Sequence, residues 1–287
     1  MKTDTQSTHG LGIVLMIIGV MLIPVTDAMA KYLSSALSVP QITGARFLLQ
    51  AVFVYLFMRV ISYELYGFKK IYFVLGAAIA AAILFLFWGL KYLPLANNIA
   101  LFFIEPLVLT LLSAFFLKEK IQKVHLAVIG FGLLGTVIIL RPNLALYGIN
   151  AIFPLLAATF YALYLLLTKR FASSESVYSL QVWVSLCAAG IIAAVLGVLE
   201  TVNGSMVSMP QSAHIWWLVV MGAITAVAHV AITKAFTFAA ANTLAPFQYL
   251  EIVGATVLGW LFFHHIRYAH GHRRCDCGGI RPVSGRA

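Results

Sequence analysis

The sequence predicts an all-α membrane protein, a polytopic helical bundle of two inverted repeats of five spans with the tenth span lost. Three observations predict it. Hydrophobic residues make up 62% of the 287 and charged ones 10%, with a mean hydropathy of +0.97. A soluble chain of this length cannot bury that much apolar surface, so its solvent is lipid. The apolar residues fall into nine runs of roughly the 20 residues a helix needs to cross the hydrocarbon core. Runs such as TVIIL and GIIAAVL lack strand-type alternation, which argues helices over a barrel. The third observation is an internal repeat, described below.

Residues 1–10 are a short polar tail, and no cleaved signal is expected because no small-residue site bounds a short apolar core. The first repeat, 11–140, holds spans 11–30, 41–60, 71–90, 95–116 and 124–140. The second, 148–263, holds spans 148–167, 180–199, 214–236 and 242–263. Short connections leave no room for a separate soluble domain. With the N-terminus inside, ten Lys and Arg lie on the cytoplasmic side: Lys2, Arg59, Lys69, Lys70, Lys118, Lys120, Lys123, Lys169, Arg170 and Lys234. Leaving aside Arg46 and the C-terminal tail, Lys31, Lys91 and Arg141 face the other side, so the cation bias sets the N-terminus in the cytoplasm. The net charge of +10 therefore reflects topology and not nucleic-acid binding.

Residues 264–287, HHIRYAHGHRRCDCGGIRPVSGRA, replace the expected tenth span with a basic tail that nine spans would leave outside. Read one nucleotide later, the codons of His272 to Pro282 are compatible with Thr-Gly-Val-Ala-Ile-Val-Val-Gly-Ser-Gly-Leu, an apolar glycine-rich helix. The tail thus reads as a frameshifted tenth span. A metal-binding tail built from His264, His265, His270, His272, Cys275 and Cys277 is the weaker alternative, since its C-x-C spacing is not that of zinc sites. With Cys187 inside a span, the three cysteines make no disulfide framework.

The repeat aligns ANNIALFFIEPLVLTLLSAFFLKEKI (96–121) with NTLAPFQYLEIVGATVLGWLFFHHI (242–266), pairing Glu105 with Glu251. Five spans per half invert one half relative to the other, an arrangement associated with alternating access. Charges within spans are costly and mark function unless they sit at a boundary. Glu105, deepest and followed by the helix-breaking Pro106, suits proton exchange, or else a structural bond to a neighbouring helix. Glu251 stands beside Gln248 and Tyr249, with Pro246 placed to break its helix, and the two carboxylates can line one central cavity. Asp27 and Lys31, at i and i+4, form a boundary ion pair. Arg46 either snorkels or neutralises an anionic solute or Asp27. Asn97, Asn98 and Asn242 read as helix caps. His229 either titrates near neutrality or is a core histidine. Trp88, Tyr161 and Trp183 could stack on a planar solute, Trp216-Trp217 reads as an interfacial belt, and Gly130, Gly132 and Gly135 favour close helix packing.

The H-E-x-x-H, G-x-S-x-G and Walker-type motifs are absent, so no enzyme and no cofactor are expected, and energy comes from gradients or exchange. TDAMAKYLSS leading to GARFLLQ, the IEPL of span 4 with LKEK, and QYLEIVGATVLGWLFF of span 9 carry a resemblance to the drug/metabolite transporter superfamily, in its EamA-type bacterial branch. The resemblance covers about residues 10–263. It departs where Ile252 replaces a common proline, and where His265 replaces the acidic residue that Glu119 represents after span 4. It implies an inner-membrane secondary transporter of a small organic metabolite such as riboflavin, S-adenosylmethionine or an amino acid. The alternatives are a transport-inactive remnant and an efflux permease. The implied partners are the solute and the lipid bilayer; a homodimer is left open.

Overall fold

The computed structural model describes residues 2–93, 95–121, 123–140, 148–204 and 207–263; the frameshift and metal readings of the tail lie outside the described residues. Among them every regular element is helical. In chain order these are α1 (Lys2–Leu33), α2 (Val39–Val60), α3 (Lys70–Tyr92), α4 (Leu95–Phe102), α5 (Glu105–Phe116) and α6 (Lys123–Leu140). After a 3-10 turn (Gly148–Ala151) come α7 (Ile152–Ala172), α8 (Val177–Asn203), α9 (Ser212–Phe238) and the single turn α10 (Ala241–Leu244). A second 3-10 turn (Ala245–Tyr249) leads into α11 (Leu250–Phe263).

Local chemistry sets the helix ends. Extended Ser38 precedes α2, with Pro40 in its first turn where a missing N–H costs nothing. Ser176 caps α8 by accepting from the Ser179 N–H, and Gly204 ends that helix at φ +64°, a conformation glycine adopts without a Cβ clash. Gln211 and His214 form a reciprocal capping box on α9.

Seven stretches among the described residues are long and apolar enough to cross a bilayer: 10–30, 39–60, 70–89, 98–116, 148–172, 177–202 and 212–238. The expected fifth span corresponds to α6, and the expected ninth to α10, the second 3-10 turn and α11. The ninth is interrupted by the 3-10 turn that holds Pro246.

The helices pack reciprocally. α1 lies on α9 as α3 lies on α7; α2 lies on α9 as α3 lies on α8; α1 meets α11 as α5 meets α7; and α2 pairs with α8. Glycines permit the closest crossings. A Cβ at Gly76 would sit 2.5 Å from Cys187 Cβ, one at Gly222 would sit 2.4 Å from Leu49 Cβ, and one at Gly19 would sit 2.5 Å from Ile232. Of the three glycines expected to pack on α6, Gly132 does so, against the Tyr249 ring. Gly130 and Gly135 do not: among the described residues nothing lies within 4 Å of their Cβ positions, because they occupy other faces of the helix. Gly76→Leu is therefore expected to destabilise the protein by about 1–3 kcal/mol, read as a lowered Tm in detergent. Gly130→Ala should leave the Tm unchanged or raise it slightly.

Polar contacts close one end of the bundle. Lys69 donates to Glu175 at 2.5 Å and the Tyr72 hydroxyl donates to the other oxygen at 2.8 Å. These bonds, the lysine's first, hold the Glu175 carboxyl below its ordinary 4.5. A carboxylate depressed in the folded state stabilises above its unfolded pKa and loses that contribution as pH falls through the folded value. Lys69 is 53% exposed, so water screens the pair and its contribution is about 1 kcal/mol or less. Glu175→Gln should lower the Tm slightly at neutral pH, and the gap should close as the buffer is taken below the carboxylate range.

Candidate functional site

Two helices break at the middle of the bundle, and the breaks face each other. The fourth span changes direction at Phe103 and Ile104, between α4 and α5, because Pro106 in the first turn of α5 has no N–H to continue the ladder. The ninth span unwinds over Ala245–Tyr249, around Pro246. The two breaks are joined side to side. Tyr249 donates its hydroxyl to the Phe103 carbonyl at 3.1 Å, which the break leaves without a helical partner, and stacks on the Phe103 ring at 6.1 Å. Gln248 Nε2 donates to Glu105 Oε1 at 3.5 Å. Glu105 is 2% exposed and Gln248 5%.

Around this junction lie the other charges. Glu251, in the first turn of α11, lies within electrostatic reach of Asp27 and Glu105. Asp27 on α1 meets Arg46 on α2 at 4.0 Å, a long contact, and Asp27 stays 58% exposed. The Lys31 side chain, its expected i+4 partner, lies outside the described residues. Arg46 Nε is buried with no hydrogen-bond partner in the described structure. Tyr161 packs on Phe102 and Tyr164 at 5.6 and 5.9 Å and lies within the fields of Glu251, Glu105 and Arg46. His229 is buried between Phe47, edge-on at 6.2 Å, and Tyr164 at 6.5 Å. The centre thus holds three carboxylates against one guanidinium, bordered by aromatic rings, an arrangement able to bind a solute with a cationic or planar part or to exchange a proton.

Eight of the ten sequence candidates, Asp27, Arg46, Glu105, Tyr161, His229, Gln248, Tyr249 and Glu251, meet in this region; two do not. Trp88 is 48% exposed and packs on Phe85. Trp183 donates its Nε1 to the Tyr66 carbonyl at 2.8 Å and lies edge-on to Phe68, at the Glu175 end. Two expected caps are also corrected. Asn98 lies inside α4 and donates to the Leu86 carbonyl of α3 at 2.9 Å. Asn242 lies inside α10 and donates to the Lys120 carbonyl at 2.9 Å. Each amide thus satisfies a backbone carbonyl of another segment, α3 for Asn98 and the loop after α5 for Asn242, which leaves it no role at its own helix end.

Cavities of about 530 Å³, lined by Arg59, Tyr63 and Glu64 among others, and about 370 Å³, lined by Lys69, Ser173 and Glu175 among others, lie at the Glu175 end. Sequence reasoning missed the buried amide network beside the site. Gln50 donates to Gln181 at 3.1 Å, and Gln181 donates to Thr233 and, at 3.4 Å, to the Tyr164 hydroxyl and the His229 carbonyl. The available signal was a neutral amide in mid-span, Gln50, outweighed by the charged residues around it.

Residues 10–141 match the family model described as the EamA-like transporter family. The chain is 30% identical to a riboflavin transporter of Brucella anthropi over 65% of its own length and 66% of that protein's, just under two thirds of the relative. It is 24% identical to an S-adenosylmethionine uptake transporter of Rickettsia bellii, covering 91% of this chain and 88% of that one. It is 26% identical to a pseudopaline exporter of Pseudomonas aeruginosa, covering 89% and 88%. A crystal structure of a protein superposes over 92% of each chain with a TM-score of 0.77 at 18% identity, a likeness of fold alone.

Proposed function

We propose that the chain, whose residues 10–141 match the EamA-like transporter family, is a secondary transporter that carries a small organic metabolite across the bacterial inner membrane. Its multi-pass membrane character and the transport roles of its relatives support the class. The observation that carries the reading is the meeting of two broken helices at Glu105, Gln248 and Tyr249. Discontinuous helices facing each other near the bilayer midplane are where transporters build solute and ion sites, since unwound backbone is tolerated only where it is buried in protein or lines a cavity. The reciprocal packing of α1 to α5 against α7 to α11 supports two inverted halves that rock about that junction. Glu105 and Glu251 exchange a proton or contact the solute, Arg46 and Asp27 gate access from α1 and α2, and the N-terminus is cytoplasmic. Residues 11–140 and 148–263 are the two repeats.

Purified protein in proteoliposomes tests this. Flavins, sulfonium and amino-acid solutes are offered on either side, with and without a proton gradient. Gradient-dependent accumulation of one class supports the reading and assigns uptake or export. Permeability no greater than empty liposomes for every class counts against it.

A second reading, a transport-inactive remnant, has its own support in the polar sequence of residues 264–287 where a tenth span is expected. Resequencing the 3′ end of the gene decides it. An apolar reading in the shifted frame favours a repaired ten-span transporter, and its absence removes the frameshift.

A further inference from the structure

The end of the bundle that carries Glu175 is tied by side chains the site does not use, most of them across the two halves. Besides the Lys69 and Tyr72 bonds to Glu175, the Tyr66 N–H donates to Ser179 Oγ at 3.2 Å. After α5, Glu119 accepts from the Ala241 and Asn242 N–H groups at 3.1 Å each, at the start of α10. Lys169, at the end of α7, donates at 2.7 Å to both the Phe236 and Ala239 carbonyls, where α9 stops. A carboxylate thus sits on one helix N-terminus and an ammonium on the preceding C-terminus, each matched to the local backbone dipole. At the opposite end Gln41 and Ser208 exchange two bonds across the halves, Nε2 to the Ser208 carbonyl at 2.7 Å and Ser208 N–H to Oε1 at 3.2 Å, and both are neutral and exposed. Asp27 remains 58% exposed.

We propose that the contact of Glu119 with the start of α10 and the Lys69–Glu175–Tyr72 cluster form a two-point latch that holds the lysine-rich end closed. The described conformation is then the one whose acidic centre is approached from the opposite end, and opening requires both points to release. The charged acceptors make the latch strong when formed, because hydrogen bonds to ionised groups are about twice as strong as neutral ones. The α9–α10 joint makes it releasable: Ala239 and Ala240 are the only residues between the two helices, and α10 is a single turn whose first N–H groups have no helical acceptor. The proposal rests on the alternating-access reading, but its test requires no solute.

Thr168, fully buried beside Lys169, reports on opening at this end. In full-length protein carrying Cys187→Ala, Cys275→Ser and Cys277→Ser, Thr168→Cys is titrated with a membrane-impermeant maleimide. The expected result is slow labelling in that parent and labelling about tenfold faster when Lys69→Ala and Glu119→Ala are added, because labelling tracks the open population. The swap Lys69→Glu with Glu175→Lys, tested on its own, should label within about twofold of the parent. Circular dichroism and Tm separate opening from unfolding, and the swap provides the arm with retained packing. Parent-like labelling in folded Lys69→Ala, Glu119→Ala protein overturns the latch, as does a folded swap that labels as fast as the alanine variant. If labelling shifts as expected and no solute is moved, the latch stands and the transport reading fails.

Discussion

Glu105→Gln is expected to lower gradient-driven solute flux by about tenfold or more, the scale of a typical coupling free energy between two bound species, while leaving the Tm within a degree or two of the parent. The substitution keeps the shape of the side chain, and its amide oxygen can still accept from Gln248, so the joint between the broken helices survives. What it removes is the ionisable group at the one place where both helices are open. Flux driven by a solute gradient alone should fall less than flux driven by protons, and the pH dependence of uptake should flatten. Glu251→Gln tests the partner. It lies in the first turn of α11 within the field of Glu105 and Asp27, so the double variant should be no worse than the more damaging single one if the two act as one unit. Full proton-driven flux in both single variants would remove these carboxylates from the mechanism.

The largest stability effect is expected at Gln181. Its side chain joins α8 to α2, α7 and α9 through Gln50, Tyr164, Thr233 and the His229 carbonyl, and Gln50, Gln181 and Thr233 are all fully buried. Gln181→Leu leaves the Gln50 amide and the Thr233 hydroxyl without their partner. A hydrogen bond between helices in a bilayer contributes about 0.6–2 kcal/mol, whereas a buried polar group left unpaired costs about 1–3. The unpaired groups therefore dominate, and the loss should be about 2–4 kcal/mol. The diagnostic is the double variant: Gln50→Leu with Gln181→Leu removes both amides and should recover part of that loss. Additive losses in thermal unfolding would show that volume, not pairing, is what the site requires.

Much of the architecture was legible as a sequence because the hydrocarbon core imposes its own period. Pro106 and Pro246 announced both helix breaks, since a residue without an N–H cannot continue the ladder whatever surrounds it. The depth of Glu105, Glu251 and Arg46 followed from counting along spans of known length. Hydropathy does not say which faces of α3 and α8 turn toward which neighbour, and so Trp88 and Trp183 group with Tyr161 in the sequence although the fold directs them elsewhere. The same limit hid Glu119, Lys69 and Lys169. The span-end positions of Lys69 and Lys169 marked them as topology signals and Glu119 read as an acid shared with the family, and only the meeting of segments far apart in sequence makes them partners of Glu175, Ala239 and Ala241.

The sequence by itself determined that this protein is helical and crosses a membrane several times, and it predicted a repeat that pairs Glu105 with Glu251. Transfer of apolar residues out of water and the need to satisfy every backbone group locally are properties of single segments, readable one span at a time. Only the tertiary structure decided that the two breaks touch, that Arg46 leans toward Asp27, that a neutral amide network underlies the site, and that one end is latched. Those are choices of rotation and register between helices. In a bilayer they are set by close packing at small residues and by polar groups finding partners, neither of which leaves a period in the chain.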